Sequence, residues 1–411
     1  MARHFNIPAF YKSNIISHIK KARLDRDPKK RDLTPTLLDF GPVRFILARH
    51  FGFCFGVENA IEIAYKTLDS NPDKRVFFLS EMIHNPNVNN DLQSKGVRFI
   101  FTTDGDQLVP WDALNSEDIV VVPAFGTTVE IQEELASRDI DPYSFNTTCP
   151  FVEKVWKRSR ELGADGFTVV VHGKAKHEET RATFSHSKSQ APTVVVLDKA
   201  ESLILADIIR GDIDESIFFE VFGGKCSEGF IPSIHLRRLG VVNQTTMLAS
   251  ETREITSIIK KSLCDKYGQD QIGHHYADTS DTLCYATNEN QNATYALIEQ
   301  GADIAFVVGG YNSSNTSHLV ELCDWSMTTY YIKNAQEILS VDKIRHFDLH
   351  TKSLVLSEGW LPSKSPLDVI LTCGASCPDA VVDEVLLRIL QFFPSAISVE
   401  DVLRSNGMEE V

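Results

Sequence analysis

The feature that most constrains the fold is the alternation of short apolar, β-branched runs with amphipathic stretches. Seven runs have the length and composition of buried strands: VRFILAR, DIVVVPAF, FTVVVHG, TVVVL, LGVVNQ, IAFVVGG and DVILTCG. Apolar residues at helical spacing mark five further stretches, at residues 57–68, 152–162, 250–262, 290–299 and 380–390. Strands that alternate with helices form βαβ units and parallel sheets. The sequence therefore predicts an α/β protein with mostly parallel sheets.

The length of the chain favours more than one domain. Its 411 residues exceed the size at which a single hydrophobic core usually stops growing. A polar arm with several prolines precedes the first strand, and a segment with glycines and exposed-looking aromatic residues interrupts the α/β rhythm as an insertion would. We predict an N-terminal arm, three α/β domains and a C-terminal tail: residues 1–40, 41–149, 150–281 with the insertion near 211–238, 282–395 and 396–411.

Composition and charge restrict the class of protein. The formal net charge of -15, with basic residues clustered only in the first 32 positions, argues against nucleic-acid binding. The sequence has no run of about 20 apolar residues that predicts a membrane helix, and no apolar secretory signal. Eight cysteines in so long a chain are too few for a secreted disulfide framework. We expect reduced thiols and a cytoplasmic location, with the plastid stroma as the alternative in a photosynthetic eukaryote.

Three cysteines stand in similar settings, each at a polar turn that leads into a helical stretch. They are Cys54 in GFCFGVENA, Cys149 in NTTCPFVEKV and Cys284 in SDTLCYATNENQ. A helix N-terminus lowers the pKa of a thiol and favours the thiolate that iron requires. Three thiolates leave one iron of a cubane open, and an open iron can bind a substrate oxygen and pass electrons. The matched settings favour an iron–sulfur site over the alternative of three ordinary buried cysteines.

Two polar segments that follow predicted strands could provide proton chemistry. HGKAKHEET contains His177 and Glu179, and a carboxyl group whose pKa is raised by burial could protonate a departing hydroxyl group. The alternative for this segment is a solvated loop of mixed charge. NQTTM places Thr245 at the carboxyl edge of a sheet, where α/β proteins bind ligands. The alternative here is that Thr245 and Thr246 cap a helix.

Two further segments could cradle a diphosphate. GGYNSSNTSHL combines a strand end and glycines with Ser313, Ser314 and Asn315 before a helical stretch, where backbone N–H groups bind anions. TCGASCPDA repeats this layout with Ser376. The alternative for both segments is a pair of helix N-caps. His84 in EMIHNPNV is a single histidine in a turn, and such histidines are often structural.

Eight motifs, in order, resemble those of the 4-hydroxy-3-methylbut-2-enyl diphosphate reductase family, also called IspH/LytB: GFCFGVENA, IHNPNV, TTCPFVEKVW, HGKAKHEET, NQTTM, CYATNENQ, GGYNSSNTSHL and GASCPD. The resemblance extends from Arg44 to Leu390. It implies three α/β domains around a central [4Fe-4S] cluster with three cysteine ligands and one open iron. The implied oxidoreductase removes the allylic hydroxyl group of (E)-4-hydroxy-3-methylbut-2-enyl diphosphate, consuming two electrons and two protons. Its products are isopentenyl and dimethylallyl diphosphate, in the last step of the non-mevalonate (MEP/DOXP) isoprenoid pathway.

The resemblance also implies roles for individual residues. The cluster ligands of the family match Cys54, Cys149 and Cys284. The proton-delivering glutamate matches Glu179, and its neighbours in the proton and hydroxyl network, which are also substrate-binding, match His177 and Thr245. The diphosphate-binding residues match His84, Ser313, Ser314, Asn315 and Ser376. Ferredoxin or flavodoxin is the implied electron donor.

One position departs from the better-known bacterial pattern of this family. Where that pattern has a diphosphate-binding histidine, this chain has Phe125 in PAFGTT, so that contact is not carried over. We hypothesise that Lys174 or Lys176 supplies the missing charge. Phe125, the N-terminal arm and the insertion all resemble the cyanobacterial and plant branch of the family.

Two other functions fit part of the same pattern. An aconitase-type hydro-lyase also uses three cysteines and an open iron, but it transfers no net electrons. A cluster-bearing sensor of a phosphorylated metabolite would bind its ligand without turnover. Dependence on an electron donor distinguishes a reductase from both alternatives.

Overall fold

The computed structural model describes residues 5–279 and 282–408. Its strands are β1 Thr36–Asp39, β2 Val43–Leu47, β3 Val76–Phe78, β4 Arg98–Phe99, β5 Ile119–Val121, β6 Thr168–His172, β7 Thr193–Val196, β8 Leu239–Asn243, β9 Tyr276–Ala277, β10 Ile304–Val308, β11 Thr328–Ile332, β12 Lys343–Asp348, β13 Ser353–Glu358 and β14 Leu367–Cys373. Its helices are α1 Ile16–Arg26, α2 Phe55–Ser70, α3 Pro86–Ser94, α4 Val129–Ala136, α5 Pro150–Ala164, α6 Glu178–Lys188, α7 Lys199–Arg210, α8 Ile217–Phe222, α9 Pro232–His235, α10 Ala249–Tyr267, α11 Ile272–His275, α12 Tyr285–Gln300, α13 Ser314–Asp324, α14 Asp379–Leu390 and α15 Val399–Ser405. In the part of the chain so described, no helix is both long and apolar enough to cross a membrane.

The predicted fold class is confirmed, because every predicted strand and helix is present and the sheets are mostly parallel. The chain divides into two compact units. The first comprises Met1–Glu58, His84–Asn90 and Tyr285–Val411, and the second comprises Asn59–Ile83 and Asp91–Cys284. The domain ranges proposed from the sequence stay a prediction, although β2, from the range 41–149, pairs with β14, from the range 282–395.

The first unit is built on a five-stranded sheet with the order β1-β2-β14-β10-β11. The strands from β2 to β11 in this order run parallel, and β1 pairs antiparallel with β2. Phe45, Phe306 and Leu371 on its central strands are fully buried, as expected for a parallel sheet covered on both faces. Because β10 and β14 are parallel neighbours, the segments that follow them begin side by side at one edge.

The second unit contains two parallel sheets, with the orders β4-β3-β5 and β7-β6-β8-β9. Helix α5 packs Val155 and Leu162 against Val169 and Val171 of β6. Strand β6 pairs with β8 along its whole length. The segments that follow these two strands therefore begin at the same edge of the sheet.

The N-terminal arm is an integral part of the first unit, which the sequence did not predict. It contains α1, whose Ile16 and Ile19 are buried in the core, and the edge strand β1. Asp383 on α14 accepts hydrogen bonds from the hydroxyl group of Ser13 and from the backbone N–H groups of residues 14–16. This distant carboxylate satisfies N–H groups that the first turn of a helix leaves without partners.

The segment near residues 211–238 is folded more tightly than its composition suggested. It contains α8 and α9, and the expectation of an exposed aromatic cluster was wrong for most of its members. Phe218, Phe222 and Phe230 are buried in the core formed by α7, β7, β8 and α10, and only Phe219 is exposed. The phenylalanines are buried because Phe218 stacks on Phe230 and packs against Phe222, which lies one helical turn later.

Candidate active site

Each of the three predicted cysteines directly precedes a helix, as the sequence indicated. Cys54 precedes α2, Cys149 is the N-cap residue of α5, and Cys284 precedes α12. None of the three forms a disulfide. Cys284 is buried, whereas Cys54 and Cys149 are partly accessible. A thiol in this position has helix N–H groups nearby, which is a suitable setting for a thiolate ligand.

The expectation of a lowered thiol pKa was wrong for Cys54 in the protein alone. Burial raises the pKa of the Cys54 thiol, and the N–H groups of Val57 and Gly56, which lower it, do not outweigh burial. The backbone of the turn is nevertheless well fixed, because the Cys54 N–H donates to the carbonyl of Ala375 at 3.3 Å and its carbonyl accepts from Glu58 at 2.9 Å. A cation at the sulfur would favour the thiolate by direct ligation.

The three cysteines present a donor set whose chemistry fits iron. Thiolates are the usual ligands of iron–sulfur clusters. Within residues 5–279 and 282–408, no group of three or more His, Cys, Asp and Glu side chains is arranged as a metal site. The setting of each cysteine is thus observed, whereas their joint role as ligands stays a prediction.

Glu179 lies in a buried polar network of the second unit. Its side chain is 1% exposed, and its Oε1 accepts a hydrogen bond from the backbone N–H of Thr245. His177 is the N-cap residue of α6, and its Nδ1 accepts from the N–H of Glu179 at 3.2 Å. The Nδ1 atom therefore carries no proton in this arrangement. The alternative of a solvated loop was wrong for Glu179.

Thr245 joins this network to a predicted cysteine ligand. Thr245 follows β8, and Glu179 follows β6. Because these two strands are parallel neighbours, their carboxyl ends bring the two residues together. The carbonyl oxygen of Thr245 accepts from the N–H of Cys284 at 3.4 Å. The alternative of helix capping was wrong, because α10 begins at Ala249 with Leu248 as N-cap and no side-chain cap. Two hydrogen bonds through the backbone of Thr245 consequently connect Glu179 to Cys284.

Phe125, the departure from the bacterial pattern, contacts the same network. It follows β5, and its ring meets the imidazole of His177 at a centroid distance of 5.8 Å with an interplanar angle of 84°. This is the edge-to-face geometry that aromatic rings prefer. The hypothesis that Lys174 or Lys176 replaces the lost positive charge stays a prediction.

The predicted anion cradle lies at the carboxyl edge of the large sheet in the first unit. Helix α13 begins at Ser314 after β10, and α14 begins at Asp379 after β14, so two helix N-termini adjoin at this edge. Such N-termini bind anions through free N–H groups. Ser313 caps α13, with its Oγ accepting from the N–H and the hydroxyl group of Thr316. The N-cap alternative is thus correct for Ser313, which leaves its own hydroxyl proton for another acceptor.

Asn315 connects the two halves of the cradle. Its Oδ1 accepts from the N–H of Ala375 at 2.8 Å and from Asn290 Nδ2 at 3.5 Å. Its Nδ2 is buried and has no hydrogen-bond partner among the described residues. A buried donor without a partner costs about 1–3 kcal/mol, which a bound anion would recover.

His84 and Ser376 also lie at the cradle. The hydroxyl group of Ser376 donates to the carbonyl of His84 at 3.1 Å, and both residues are buried. Sequence reasoning missed the next residue, Asn85, whose Nδ2 is fully buried and lacks a partner within the described chain. Its Oδ1 accepts from the N–H groups of Asn87 and Val88. An asparagine followed by proline before a helix is a sequence signal for this capping role of Oδ1. It gives no signal for the unpaired Nδ2 donor.

Cys373 and Cys377 flank the Ser376 segment and are both buried free thiols. The adjacent Cys373 thiol and burial together raise the pKa of Cys377 well above its usual value. Both side chains pack in the hydrophobic core of the first unit, and the prediction from the sequence does not include them in the candidate site.

Fold and site together define an α/β protein that, within each of its two units, has polar candidate residues at the carboxyl ends of parallel strands, and in which a cysteine directly precedes each of three helices. The chain belongs to the LytB protein family, whose model matches residues 45–390. The resemblance predicted from the motifs between Arg44 and Leu390 is thereby confirmed.

Relatives of known name agree with this family. A Synechococcus sp. (strain CC9311) protein named 4-hydroxy-3-methylbut-2-enyl diphosphate reductase is 39% identical over 354 residues, which cover 86% of this chain and 86% of the relative. A Trichodesmium erythraeum (strain IMS101) protein of the same name is 36% identical over 381 residues, covering 92% and 90%.

Solved structures show the same fold. The E-1-hydroxy-2-methyl-but-2-enyl-4-diphosphate reductase from Plasmodium falciparum matches with a TM-score of 0.60 and 18% identity, over 86% of this chain and 89% of that one. A structure described as (E)-4-hydroxy-3-methyl-but-2-enyl diphosphate reductase, the terminal enzyme of the non-mevalonate pathway, matches with a TM-score of 0.50 and 23% identity, over 84% and 99%.

Proposed function

We propose that this protein reductively removes the allylic hydroxyl group of (E)-4-hydroxy-3-methylbut-2-enyl diphosphate to give isopentenyl and dimethylallyl diphosphate. The single observation that carries this proposal is the connected set of Glu179, Thr245 and Cys284, which puts a buried carboxyl group beside a predicted cluster ligand. Family membership and the names of the relatives support the choice of substrate. The reaction breaks one C–O bond, releases water and consumes two electrons and two protons.

The side chains of the protein would divide the work as follows. Glu179, whose Oε1 accepts the N–H of Thr245, would act as the general acid that passes a proton to the departing hydroxyl group. His177 would hold Glu179 at the start of α6. The cradle would orient the diphosphate with the donors of His84, Ser313, Ser314, Asn315 and Ser376. Burial of these donors excludes water that would compete for the anion.

The proposed cofactor is a [4Fe-4S] cluster held by Cys54, Cys149 and Cys284. When bound, it would supply electrons and an open iron as a Lewis acid. Ferredoxin or flavodoxin is the proposed electron donor. A cytoplasmic location, or the plastid stroma in a photosynthetic eukaryote, belongs to the same proposal and rests on the cyanobacterial relatives.

Anaerobic turnover with a chemical reductant and a viologen mediator tests this proposal. Wild type should release both isoprenoid diphosphates. Glu179→Gln should load its cluster normally but lose about 10²-fold or more in kcat, since a positioned general acid contributes that much. Cys149→Ser should lose both iron and activity. Glu178→Gln and Cys226→Ser are matched controls, because each alters the same residue type outside the proposed roles.

The alternatives make different predictions in the same assay. A fully loaded wild type that turns over without reductant would favour the hydro-lyase reading, and one that binds the diphosphate without turnover would favour a sensor. Full activity of Glu179→Gln would refute the role of Glu179 while leaving the reductase assignment in place.

A further inference from the structure

The turn that carries Cys54 packs closely against a charged pair. Gly52 in this turn has φ +78°, a conformation that side chains rarely adopt. A Cβ atom at this position would collide with the carboxylate of Asp379 and would approach the ammonium group of Lys20 to 2.7 Å. The Lys20–Asp379 pair thus packs directly on the backbone of this turn.

Lys20 links three parts of the first unit through one ammonium group. Its Nζ donates to the carbonyl of Phe51 at 2.8 Å and to Asp379 Oδ1 at 2.7 Å, and it lies 4.6 Å from the centroid of the Phe51 ring. The side chains of Lys20 and Asp379 are only 31% and 20% exposed. A partly buried pair with a shared third partner holds its geometry better than an exposed one.

The same turn is tied to the diphosphate cradle. The N–H of Cys54 donates to the carbonyl of Ala375, and the N–H of Ala375 donates to Asn315 Oδ1. Ala375 directly precedes Ser376, and Asp379 begins the helix that follows. The position of Cys54 is therefore coupled by short contacts to two of the proposed substrate-binding residues.

We infer that Lys20, delivered by helix α1 of the N-terminal arm, is a positioning residue that clamps the Cys54 turn against the loop carrying Ser376. This inference rests on the proposed function, because it concerns the position of a proposed cluster ligand relative to the proposed cradle. Lys20 contacts neither, and acts through the Phe51 carbonyl and Asp379. The arm thus contributes to the reaction centre by fixing the position of the Cys54 turn relative to the loop that carries Ser376.

Alkylation of the iron-free protein tests the clamp without relying on activity. Lys20→Met should increase the rate at which iodoacetamide modifies Cys54 about tenfold, because loss of the clamp allows the turn to open locally. The rates at Cys149 and Cys226 should stay at their wild-type values. Lys21→Met is the matched control, since it removes the neighbouring, exposed charge from the same helix. Lys20→Arg should restore much of the protection.

In the loaded enzyme, Lys20→Met should raise KM for the diphosphate substrate and alter the electron paramagnetic resonance signal of the reduced cluster. Asp379→Asn, which keeps the shape of the side chain, should give the same selective effect on Cys54. An unchanged Cys54 rate in both variants would overturn the inference, as would equal acceleration at all the cysteines, which indicates general loosening. If the proposed function failed, wild type would show no turnover, while the alkylation rate of Cys54 would still respond selectively to Lys20→Met.

Discussion

At the scale of single residues, Asn315 gives the sharpest expectation. Asn315→Asp keeps the Oδ1 that accepts from Ala375 but replaces the buried Nδ2 donor with a carboxylate oxygen. We expect KM for the diphosphate to rise about 10- to 100-fold, because one charge-assisted hydrogen bond is lost and a repulsion is gained. Steady-state kinetics measure the effect, with the exposed Asn292→Asp on α12 as a control of equal charge. Equal KM values in the two variants would contradict this role.

Phe125 leads to a separate expectation in the proton network. Phe125→Leu removes the ring that meets His177 edge to face but retains apolar bulk. The aromatic contact is worth about 0.5–1.5 kcal/mol, so kcat should fall severalfold while KM changes little. Stopped-flow or steady-state turnover of the loaded enzyme measures the split. A higher KM with unchanged kcat would show that Phe125 acts in substrate binding instead.

Most residues of the candidate site could be proposed from sequence patterns, because they lie at strand ends and helix starts. Glu179 and Thr245 both follow β-branched strands, and parallel pairing of β6 with β8 brings them together. The partnerless Nδ2 of Asn85 was not predictable in this way. Whether a side-chain donor is left without a partner depends on which acceptors the folded chain places around it. No local sequence pattern encodes that arrangement.

At the scale of secondary-structure elements, the attachment of α1 depends on Asp383. Asp383→Ala would leave the N–H groups of residues 14–16 and the hydroxyl group of Ser13 without their acceptor. We expect the free energy of unfolding to fall by about 3 kcal/mol, since several donors lose a charged partner. Hydrogen exchange should accelerate first in residues 13–26. Glu384→Ala, on the neighbouring exposed position, should change neither quantity, and equal exchange in both variants would contradict the capping role.

The same helix shows why this element was not predicted. The sequence ISHIKKARLDR buries only Ile16 and Ile19 and is otherwise polar, so its apolar face is too narrow to stand out. Its stabilising acceptor lies 367 positions later in the sequence. For α8 the error was the reverse: its aromatic residues were expected to be exposed, but Phe218 is buried. Its stacking partner, Phe230, lies outside the helix, so the local sequence around α8 does not reveal the contact.

At the scale of the whole molecule, sequence gives the fold class but not the assembly of the sheets. Strands β2 and β14 are both short apolar runs, and many registers between such runs bury similar surface. Their observed pairing, with Leu367 beside Val43, depends on contacts across more than 300 positions. The motif order was enough for family membership, whereas the composition of the two compact units follows only from the folded chain.

The placement of the whole cradle in one compact unit has a thermodynamic consequence. His84, Ser313, Asn315 and Ser376 belong to the first unit, so iron-free protein should bind inorganic pyrophosphate. A ligand that binds only the folded protein at 100 times its Kd stabilises it by about 2.7 kcal/mol. Calorimetric titration, with hydrogen exchange at residues 309–316 and 374–377, should show binding and local protection in wild type and little of either in Asn315→Asp. Sulfate at matched ionic strength corrects for screening. Binding that requires the loaded cluster, or that survives Asn315→Asp unchanged, would place the diphosphate elsewhere.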